Sequence, residues 1–205
     1  KLNNLVLVLF FLQSTTILTS DLVNSTNHIK TIIFGAGCFW SVEKKFQETF
    51  GVIDVESGYA DGANIKPLYE EIIKRENRFN PDNYAEVVRV TYNNNKTNLE
   101  NLLKTFFEMH DPTQENRQGN DIGVQYRSVI LTSSQEEIML SKKIKNIYQN
   151  LLSEKGYGII KTKIKKLTNF YLAEDYHQDY LKKNPNGYCP DNSTGIGFSK
   201  NPKQS

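Results

Sequence analysis

The stretch around Cys38 has the residue types and spacing that allow a thiol to act as a nucleophile. The chain reads Phe34-Gly-Ala-Gly-Cys-Phe-Trp40 between an apolar run, Thr31–Phe34, and a helix-like run, Ser41–Phe50. Two glycines permit a sharp turn, which places Cys38 at the first turn of the helix. Free N–H groups and the helix dipole favour an anion there, so the sequence predicts a lowered thiol pKa and a nucleophile. The alternative is a small buried apolar residue, as most free cysteines are.

Cys189 is the second of the two cysteines and lies in the stretch Asn184–Pro190, which contains Gly and Pro. A thiol on such a backbone can swing toward an oxidised Cys38 and form a disulfide, because thiols condense with sulfenic acids. The alternative is a permanent structural disulfide, which an oxidising compartment would allow. Two cysteines and three dispersed histidines have no ligand-like spacing, so neither a metal nor another cofactor is predicted.

Further polar side chains have the chemistry to move a proton or to bind an oxygen atom. Glu86 lies between apolar neighbours in a strand-like run, where burial would raise its pKa and make it a proton donor near neutrality. The alternative is an acid that faces solvent. Asp121 and Tyr126 belong to a polar loop with glycines that leads into a strand, a usual form of functional loop. Tyr69, shortly after Pro67, offers a second phenol.

Alternating strands and helices are predicted to position these groups. The periodicity predicts strands at 31–34, 51–59, 84–92, 125–131 and 159–166, and helices at 41–50, 68–75, 98–110, 134–154 and 174–182. Asn98, and either Ser133 or Ser134, are residue types that cap helices. The order predicts one α+β or α/β domain, with extended coil from Asn184 onward.

Length and charge set limits on the class of protein. The chain has 205 residues and a formal net charge of +2, which suits one domain with a substantial core. The lysines are dispersed, so no nucleic-acid partner is predicted. Even the densest run, Lys161–Lys166, alternates with apolar residues, as a half-exposed strand does.

The first 20 residues differ in composition from the rest of the chain. An apolar run, Leu5–Leu12, follows Lys1 and precedes small and polar residues, which is the layout of a secretory signal peptide. The run is too short to span a bilayer. Secretion is therefore predicted, with a mitochondrial presequence or a cytoplasmic location as alternatives. The chain also has three Asn-x-Ser/Thr sequons that are compatible with secretion, at Asn24, Asn95 and Asn192.

A series of motifs resembles the A-type peptide methionine sulfoxide reductase family. In chain order the motifs are Gly37–Trp40, Ala85–Val87, His110–Thr113 with Arg117–Asp121, Gln125–Ser128, and Ala173–Gln178 with Asn184–Cys189. Each is weak alone, but together they are highly specific and extend over most of the globular part. The resemblance implies an α/β sandwich with a split β-α-β, ferredoxin-like core and an extended C-terminal coil tail.

The resemblance also implies a role for each candidate side chain. Cys38 would attack the sulfur of methionine S-sulfoxide, and Glu86 would protonate the departing oxygen. Cys189 would resolve the resulting sulfenic acid as a disulfide, which thioredoxin or another dithiol would reduce. The other site residues would bind substrate: Tyr69 and Tyr126 at the oxygen, Phe39 and Trp40 around the S-methyl group, and Asp121 in the same pocket.

The predicted organisation is a signal peptide at 1–20, a linker at 21–29, a catalytic domain at 30–190 and a tail at 191–205. The expected function is repair of methionine sulfoxide in proteins or peptides, by a monomer with no nucleic-acid partner and no membrane attachment after signal removal.

Two other functions are considered. A papain-like cysteine hydrolase would pair Cys38 with His177, but the Cys-Gly-Ser/Ala-Cys-Trp signature is absent. A non-enzymatic secreted domain with one structural disulfide would leave the motifs around Glu86 and Asp121 without a role.

Overall fold

The computed structural model of the protein describes residues 28–198. The strands are β1 (Ile29–Gly35), β2 (Val52–Ala60), β3 (Ala85–Asn93), β4 (Arg117–Gln118), β5 (Asp121–Ile122), β6 (Val129–Thr132), β7 (Lys163–Lys166) and β8 (Phe170–Leu172). The helices are α1 (Phe39–Gln47), α2 (Tyr69–Ile72), α3 (Leu99–Glu108), α4 (Gln135–Ser153) and α5 (Tyr180–Lys183). The predicted signal peptide, Asn24 and the end of the predicted tail lie outside the described residues.

One mixed sheet of six strands organises the fold, in the order β7-β6-β1-β3-β2-β8. Strand β3 runs antiparallel to both β1 and β2 and separates them, so β1, α1 and β2 form a split β-α-β unit. Strand β1 likewise separates β3 from β6 and is antiparallel to both. These four strands have the ferredoxin-like order, which confirms the predicted α+β fold class.

The two faces of the sheet differ in how much apolar side-chain area they bury. Side chains alternate along a strand, so Val88 and Val90 of β3 point to one face while Val87 points to the other. The first face packs against α1, α3 and α4 in the larger core, which includes Phe34, Phe46 and Phe106 in a stacked row. The second face carries a smaller cluster around Val87 and Leu131. Glu86 has the same parity as Val88 and therefore points to the helix-covered face.

The two longest helices begin where the sequence predicts. The Asn98 side chain accepts a hydrogen bond from the Asn101 N–H at the start of α3, and Ser134 accepts one from the Glu137 N–H at the start of α4. Helix α3 buries the apolar stripe that its periodicity indicates, namely Leu99, Leu102, Leu103, Phe106 and Phe107. Among residues 28–198, no helix is both long enough and apolar enough to cross a membrane.

Several predicted elements have different bounds in the structure. The strand predicted at 125–131 begins only at Val129, because residues 124–126 form a 3₁₀ turn whose Val124 carbonyl binds the buried Arg127 guanidinium. The strand predicted at 159–166 is limited to β7. The helix predicted at 174–182 is a series of turns followed by the short α5. Strand β8 was not predicted, since three residues give too little periodicity.

The segment after Asn184 has no helix or strand among its described residues, as predicted, but its end is held on the domain. The Tyr148 hydroxyl lies 3.0 Å from Thr194 Oγ1 and donates to the Ile196 carbonyl at 2.8 Å. The Phe198 ring stacks on the Tyr148 ring, and the Phe198 N–H donates to the Glu108 carboxylate. On the other side of Cys189, Tyr180 of α5 stacks on the Trp40 ring, so the part of the segment that carries Cys189 has an anchor on each side.

Candidate active site

The turn between β1 and α1 depends on its two glycines. Gly37 has φ +97°, which disfavours any side chain, and a Cβ there would lie 2.8 Å from Gln118 Cβ. A Cβ on Gly35 would lie 2.8 Å from Val129 Cγ1 and 3.0 Å from the Glu86 carbonyl oxygen. Because no side chain stands at either glycine, the turn can pack closely against Gln118 and Val129. Cys38 then lies at the N-cap of α1, as the sequence predicts, with Phe39 as the first helical residue.

The thiol of Cys38 has a raised pKa, which corrects the prediction of a lowered one. Burial is the largest cause, followed by the negative charge of Glu86. The N–H groups of Trp40 and Ser41 at the helix start act in the predicted direction, but they offset only part of the desolvation. The site therefore holds Cys38 as a thiol rather than as a preformed thiolate.

Glu86 is a buried carboxyl group at the start of β3, only 2% exposed. One of its oxygens accepts the backbone N–H of Phe39 at 3.2 Å, which joins the start of α1 to the sheet. Burial raises the pKa of Glu86 to about 8, with a smaller contribution from the charge of Asp121 and an opposing one from the Phe39 hydrogen bond. A carboxyl group with that pKa is mostly protonated at neutral pH. The alternative of a solvent-facing acid is wrong, because the side chain is buried.

A cavity of about 220 Å³ brings together every predicted site residue except Cys189. Its lining is mostly aromatic and consists of Cys38, Phe39, Trp40, Tyr69, Glu86, Asp121, Tyr126 and Tyr188. Tyr188 was missed by the sequence analysis, in which it was only part of the Asn184–Cys189 motif. The cavity thus combines a thiol, a proton donor and apolar walls in a space large enough for a whole side chain.

The phenols in the cavity are hydrogen-bond donors rather than acids. Burial raises the pKa of Tyr69 and of Tyr126, and the charges of Glu86 and Asp121 add to both shifts. Burial also raises the pKa of Asp121, and an interaction with the Tyr188 hydroxyl partly offsets the rise. Within residues 28–198, no three His, Cys, Asp or Glu side chains converge in a way that could hold a metal ion.

Cys189 is exposed and lines a neighbouring cavity of about 380 Å³ rather than the one around Cys38. This second cavity lies between α1, α3 and the C-terminal segment, where Ser41, Thr105 and Cys189 are among its lining residues. Both cysteines are free thiols, so the structure does not have the permanent disulfide that was one alternative. Ser41 on α1 follows the cavity residues Phe39 and Trp40, so both cavities adjoin the first turn of this helix.

The site argues against a papain-like hydrolase. His177 is buried, and its Nδ1 accepts the Trp40 indole N–H at 3.1 Å. Its Nε2 lies 3.9 Å from a carboxylate oxygen of Glu174, beyond hydrogen-bond distance. Burial lowers the pKa of His177, which favours the neutral ring. His110 binds the Phe106 carbonyl and the Ser128 hydroxyl instead. Neither histidine lines the Cys38 cavity.

The fold and the site together define a thiol-dependent oxidoreductase, in which a cysteine nucleophile and a protonated carboxyl group share an aromatic cavity with a second free thiol nearby. The family model described as "Peptide methionine sulfoxide reductase" matches residues 30–201. The chain therefore belongs to the peptide methionine sulfoxide reductase family.

Individual relatives agree with this assignment. The human "Mitochondrial peptide methionine sulfoxide reductase" is 47% identical over 164 residues, which cover 80% of this chain and 68% of the human protein. Among solved structures, methionine sulfoxide reductase A of Corynebacterium diphtheriae has a TM-score of 0.73 and 39% identity, covering 83% of this chain and 82% of that one. Mxr1 from Saccharomyces cerevisiae in complex with Trx2 has a TM-score of 0.52 and 26% identity, covering 80% and 88%.

Proposed function

We propose that the chain reduces methionine S-sulfoxide in proteins or peptides, with Cys38 as the nucleophile and Glu86 as the acid. The observation that carries this proposal is the buried Glu86 carboxyl group in the same small cavity as the Cys38 thiol. Sulfoxide oxygen is a poor leaving group unless it is protonated, and a buried carboxyl group with a pKa of about 8 retains its proton at neutral pH.

The raised pKa of Cys38 determines how the protons move. Glu86 donates its proton to the sulfoxide oxygen as the Cys38 sulfur attacks the sulfoxide sulfur, and the thiol proton returns to the Glu86 carboxylate. The attack forms an S–S bond between Cys38 and the substrate. That bond and the sulfoxide S–O bond then break as the hydroxyl group bonds to the Cys38 sulfur, so methionine leaves as the sulfide and Cys38 becomes a sulfenic acid. Sulfoxide and thiol thus become sulfide and sulfenic acid with no net change in protons.

The other cavity residues are proposed to bind the substrate. Tyr69 and Tyr126 carry protonated phenols that can donate hydrogen bonds to the sulfoxide oxygen as negative charge develops there. Phe39 and Trp40 offer tilted aromatic faces, with ring centroids 6.4 Å apart, that suit a methyl group on sulfur. Asp121 is proposed to line the same site beside the Tyr188 hydroxyl.

Cys189 is proposed to resolve the sulfenic acid. Its thiol attacks the Cys38 sulfur, a disulfide forms and water leaves; a dithiol then reduces the disulfide and becomes oxidised in turn. The exposure of Cys189 supports this role, because the resolving thiol must be accessible to move and to react. The complex of the yeast relative with Trx2 supports a thioredoxin as the dithiol. Repair of oxidised proteins is consistent with this cycle.

For the chain as a whole, we propose a secretory signal at 1–20, a linker at 21–29, a catalytic domain at 30–190 and a tail at 191–205. The apolar run Leu5–Leu12 supports the signal. The human relative is named a mitochondrial protein, which makes a mitochondrial presequence the competing assignment. Residues 1–28 fused to a reporter would decide between the two by the compartment in which the reporter accumulates.

The proposed reaction is tested with reduced protein, one equivalent of a methionine S-sulfoxide peptide and no external reductant. We expect about one methionine per wild-type enzyme and the loss of both thiols. Cys189→Ser should form its single methionine and retain a sulfenic acid that dimedone traps on Cys38. Cys38→Ser should form none, and the R-epimer should be inert. Absence of methionine from the wild type would refute the proposal.

A further inference from the structure

The turn from Glu174 to His177 contacts two walls of the Cys38 cavity without lining the cavity itself. The His177 N–H donates to the Glu174 carbonyl at 2.8 Å and closes the turn. At one end of the turn, the Glu174 carboxylate accepts a hydrogen bond from the Tyr69 N–H. At the other end, the His177 ring accepts one from the Trp40 indole N–H. The turn directly precedes α5 in sequence.

His177 holds the indole of Trp40 by a hydrogen bond of fixed direction. An indole N–H can only donate, so His177 Nδ1 must be unprotonated and the neutral ring carries its proton on Nε2. The other side of Trp40 stacks on Tyr180 at 3.7 Å between ring centroids, so the indole has two restraints. The His177 ring also packs against the rings of Phe39 and Tyr69, at 4.9 and 4.5 Å between ring centroids, so it lies behind three of the aromatic residues that line the cavity.

Glu174 holds the backbone of Tyr69. One carboxylate oxygen accepts the Tyr69 N–H at 2.9 Å, and the other accepts the Tyr59 hydroxyl at 2.7 Å. These bonds fix the first residue of α2 against β2, although Leu68 at the N-cap provides no side-chain bond of its own. Without Glu174, a buried phenol and a helix N-terminus would each lose an acceptor.

We propose that Glu174 and His177 are positioning residues for the methionine sulfoxide site: His177 orients Trp40 against the S-methyl group, and Glu174 orients Tyr69 at the sulfoxide oxygen. The inference rests on the proposed function. Because one turn carries both residues, it sets the position of Trp40, proposed to meet the S-methyl group, relative to Tyr69, proposed to meet the sulfoxide oxygen. His177 bonds to Trp40 and Glu174 to Tyr69, which are proposed to meet different parts of the substrate, so the loss of each should have a different kinetic signature.

The test compares kcat/KM for S-methyl and S-ethyl sulfoxides of the same peptide, since one extra methylene is typically discriminated about tenfold or more. His177→Leu should reduce the methyl-over-ethyl preference to about threefold or less, whereas His177→Asn, which keeps an acceptor near the Nδ1 position, should retain it. Glu174→Ala removes the acceptor of both the Tyr69 N–H and the Tyr59 hydroxyl, and it should lower kcat/KM about tenfold or more for both substrates and leave the preference unchanged. Glu174→Gln should restore most of that loss.

A second readout needs no activity. Trp40 is the only tryptophan, so its indole N–H gives a single cross-peak in a ¹⁵N spectrum. The cross-peak should move and exchange faster with solvent in His177→Leu, and should remain near its wild-type position in His177→Asn and Glu174→Ala. If His177→Leu does not fold, His177→Gln can replace it, because its amide oxygen lies away from the Nδ1 position while the side chain stays polar. His177→Gln should likewise lose the methyl preference and the wild-type position of the indole cross-peak.

The exposed neighbour Asp175→Ala is the matched control and should behave as wild type in both assays. An unchanged methyl preference together with an unchanged indole cross-peak in the folded His177 variants would overturn the role of His177. Equal losses in Asp175→Ala, or a Glu174→Ala protein with wild-type kcat/KM, would overturn that of Glu174. A wild type that forms no methionine would refute the proposed function, while the indole measurement would still test the positioning of Trp40.

Discussion

Replacing Glu86 by Gln should make the protein more stable at alkaline pH while it removes the proposed acid. Gln has nearly the same shape and keeps an acceptor for the Phe39 N–H, so the main change is the loss of an ionisable group in a buried site. In the unfolded chain the carboxyl group loses its proton above its ordinary pKa of 4.5, whereas in the folded chain it keeps the proton until about pH 8.

The sign and size of the effect follow from proton linkage. Between pH 4.5 and about 8 the folded state binds more protons than the unfolded state, so rising pH favours unfolding by up to about 1.4 kcal/mol per pH unit. The stability that Glu86 contributes is thus complete below pH 4.5 and lost by about pH 8. Relative to Glu86→Gln, the wild type should lose on the order of 4 kcal/mol of its free energy of unfolding from pH 5 to pH 9.

Urea unfolding followed by Trp40 fluorescence at pH 5, 7 and 9, in the same reductant, measures this difference. Comparing the two proteins at each pH cancels the titration of groups that do not interact with Glu86. Glu154→Gln, a change at an exposed glutamate, serves as the control and should track the wild type at all three pH values. A constant difference between wild type and Glu86→Gln from pH 5 to pH 9 would show that Glu86 is ionised in the folded protein near neutrality.

Three other perturbations have defined outcomes. In the wild type, the single-turnover rate of methionine formation should fall about tenfold per pH unit above pH 8, because Glu86 loses its proton there. Glu86→Gln should be slower by about 10²-fold or more and should lack that decline. A wild-type rate that rises through pH 8 would instead indicate that a Cys38 thiolate is the reacting form. Gly37→Ala introduces a side chain at φ +97° and should lower the free energy of unfolding in urea by about 1–3 kcal/mol; an unchanged urea midpoint would mean that the turn relaxes freely. Tyr148→Phe removes the two hydroxyl contacts to the C-terminal segment but keeps the ring stack with Phe198, and it should leave the single methionine unchanged while the second thiol is lost a few-fold more slowly. An equal or faster loss would show that the hydroxyl contacts do not assist Cys189.

Much of the fold follows from local patterns that the chain carries in single elements. The apolar stripe and Asn98 cap of α3 predict a helix that the structure shows almost unchanged, and the alternation in β3 predicts a strand. Elements of three or four residues, such as β8, depend on pairing with the edge of β2, and no local signal specifies that pairing. The 3₁₀ turn before Arg127 likewise depends on a long-range contact with Asp61.

The candidate site was predictable in its membership but not in its electrostatics. The glycine turn placed Cys38 at a helix start, as the sequence indicates. The direction of the Cys38 pKa shift could not be predicted, because burial and the nearby Glu86 charge come from tertiary packing and outweigh two local N–H groups. Glu174 and Tyr188 lay inside recognised motifs, yet their contacts with Tyr69 and Asp121 appear only when distant segments meet.

The two anchors of the Cys189 segment have a kinetic consequence. A thiol on a free tail samples a large volume, whereas one on a loop held at α5 and again at Tyr148 is confined near the start of α1. Short tethers of this kind correspond to effective concentrations in the millimolar range. An external thiol or a second oxidant molecule at micromolar concentration would then compete poorly for the Cys38 sulfenic acid. The tether would thus protect Cys38 from irreversible oxidation to sulfinic acid.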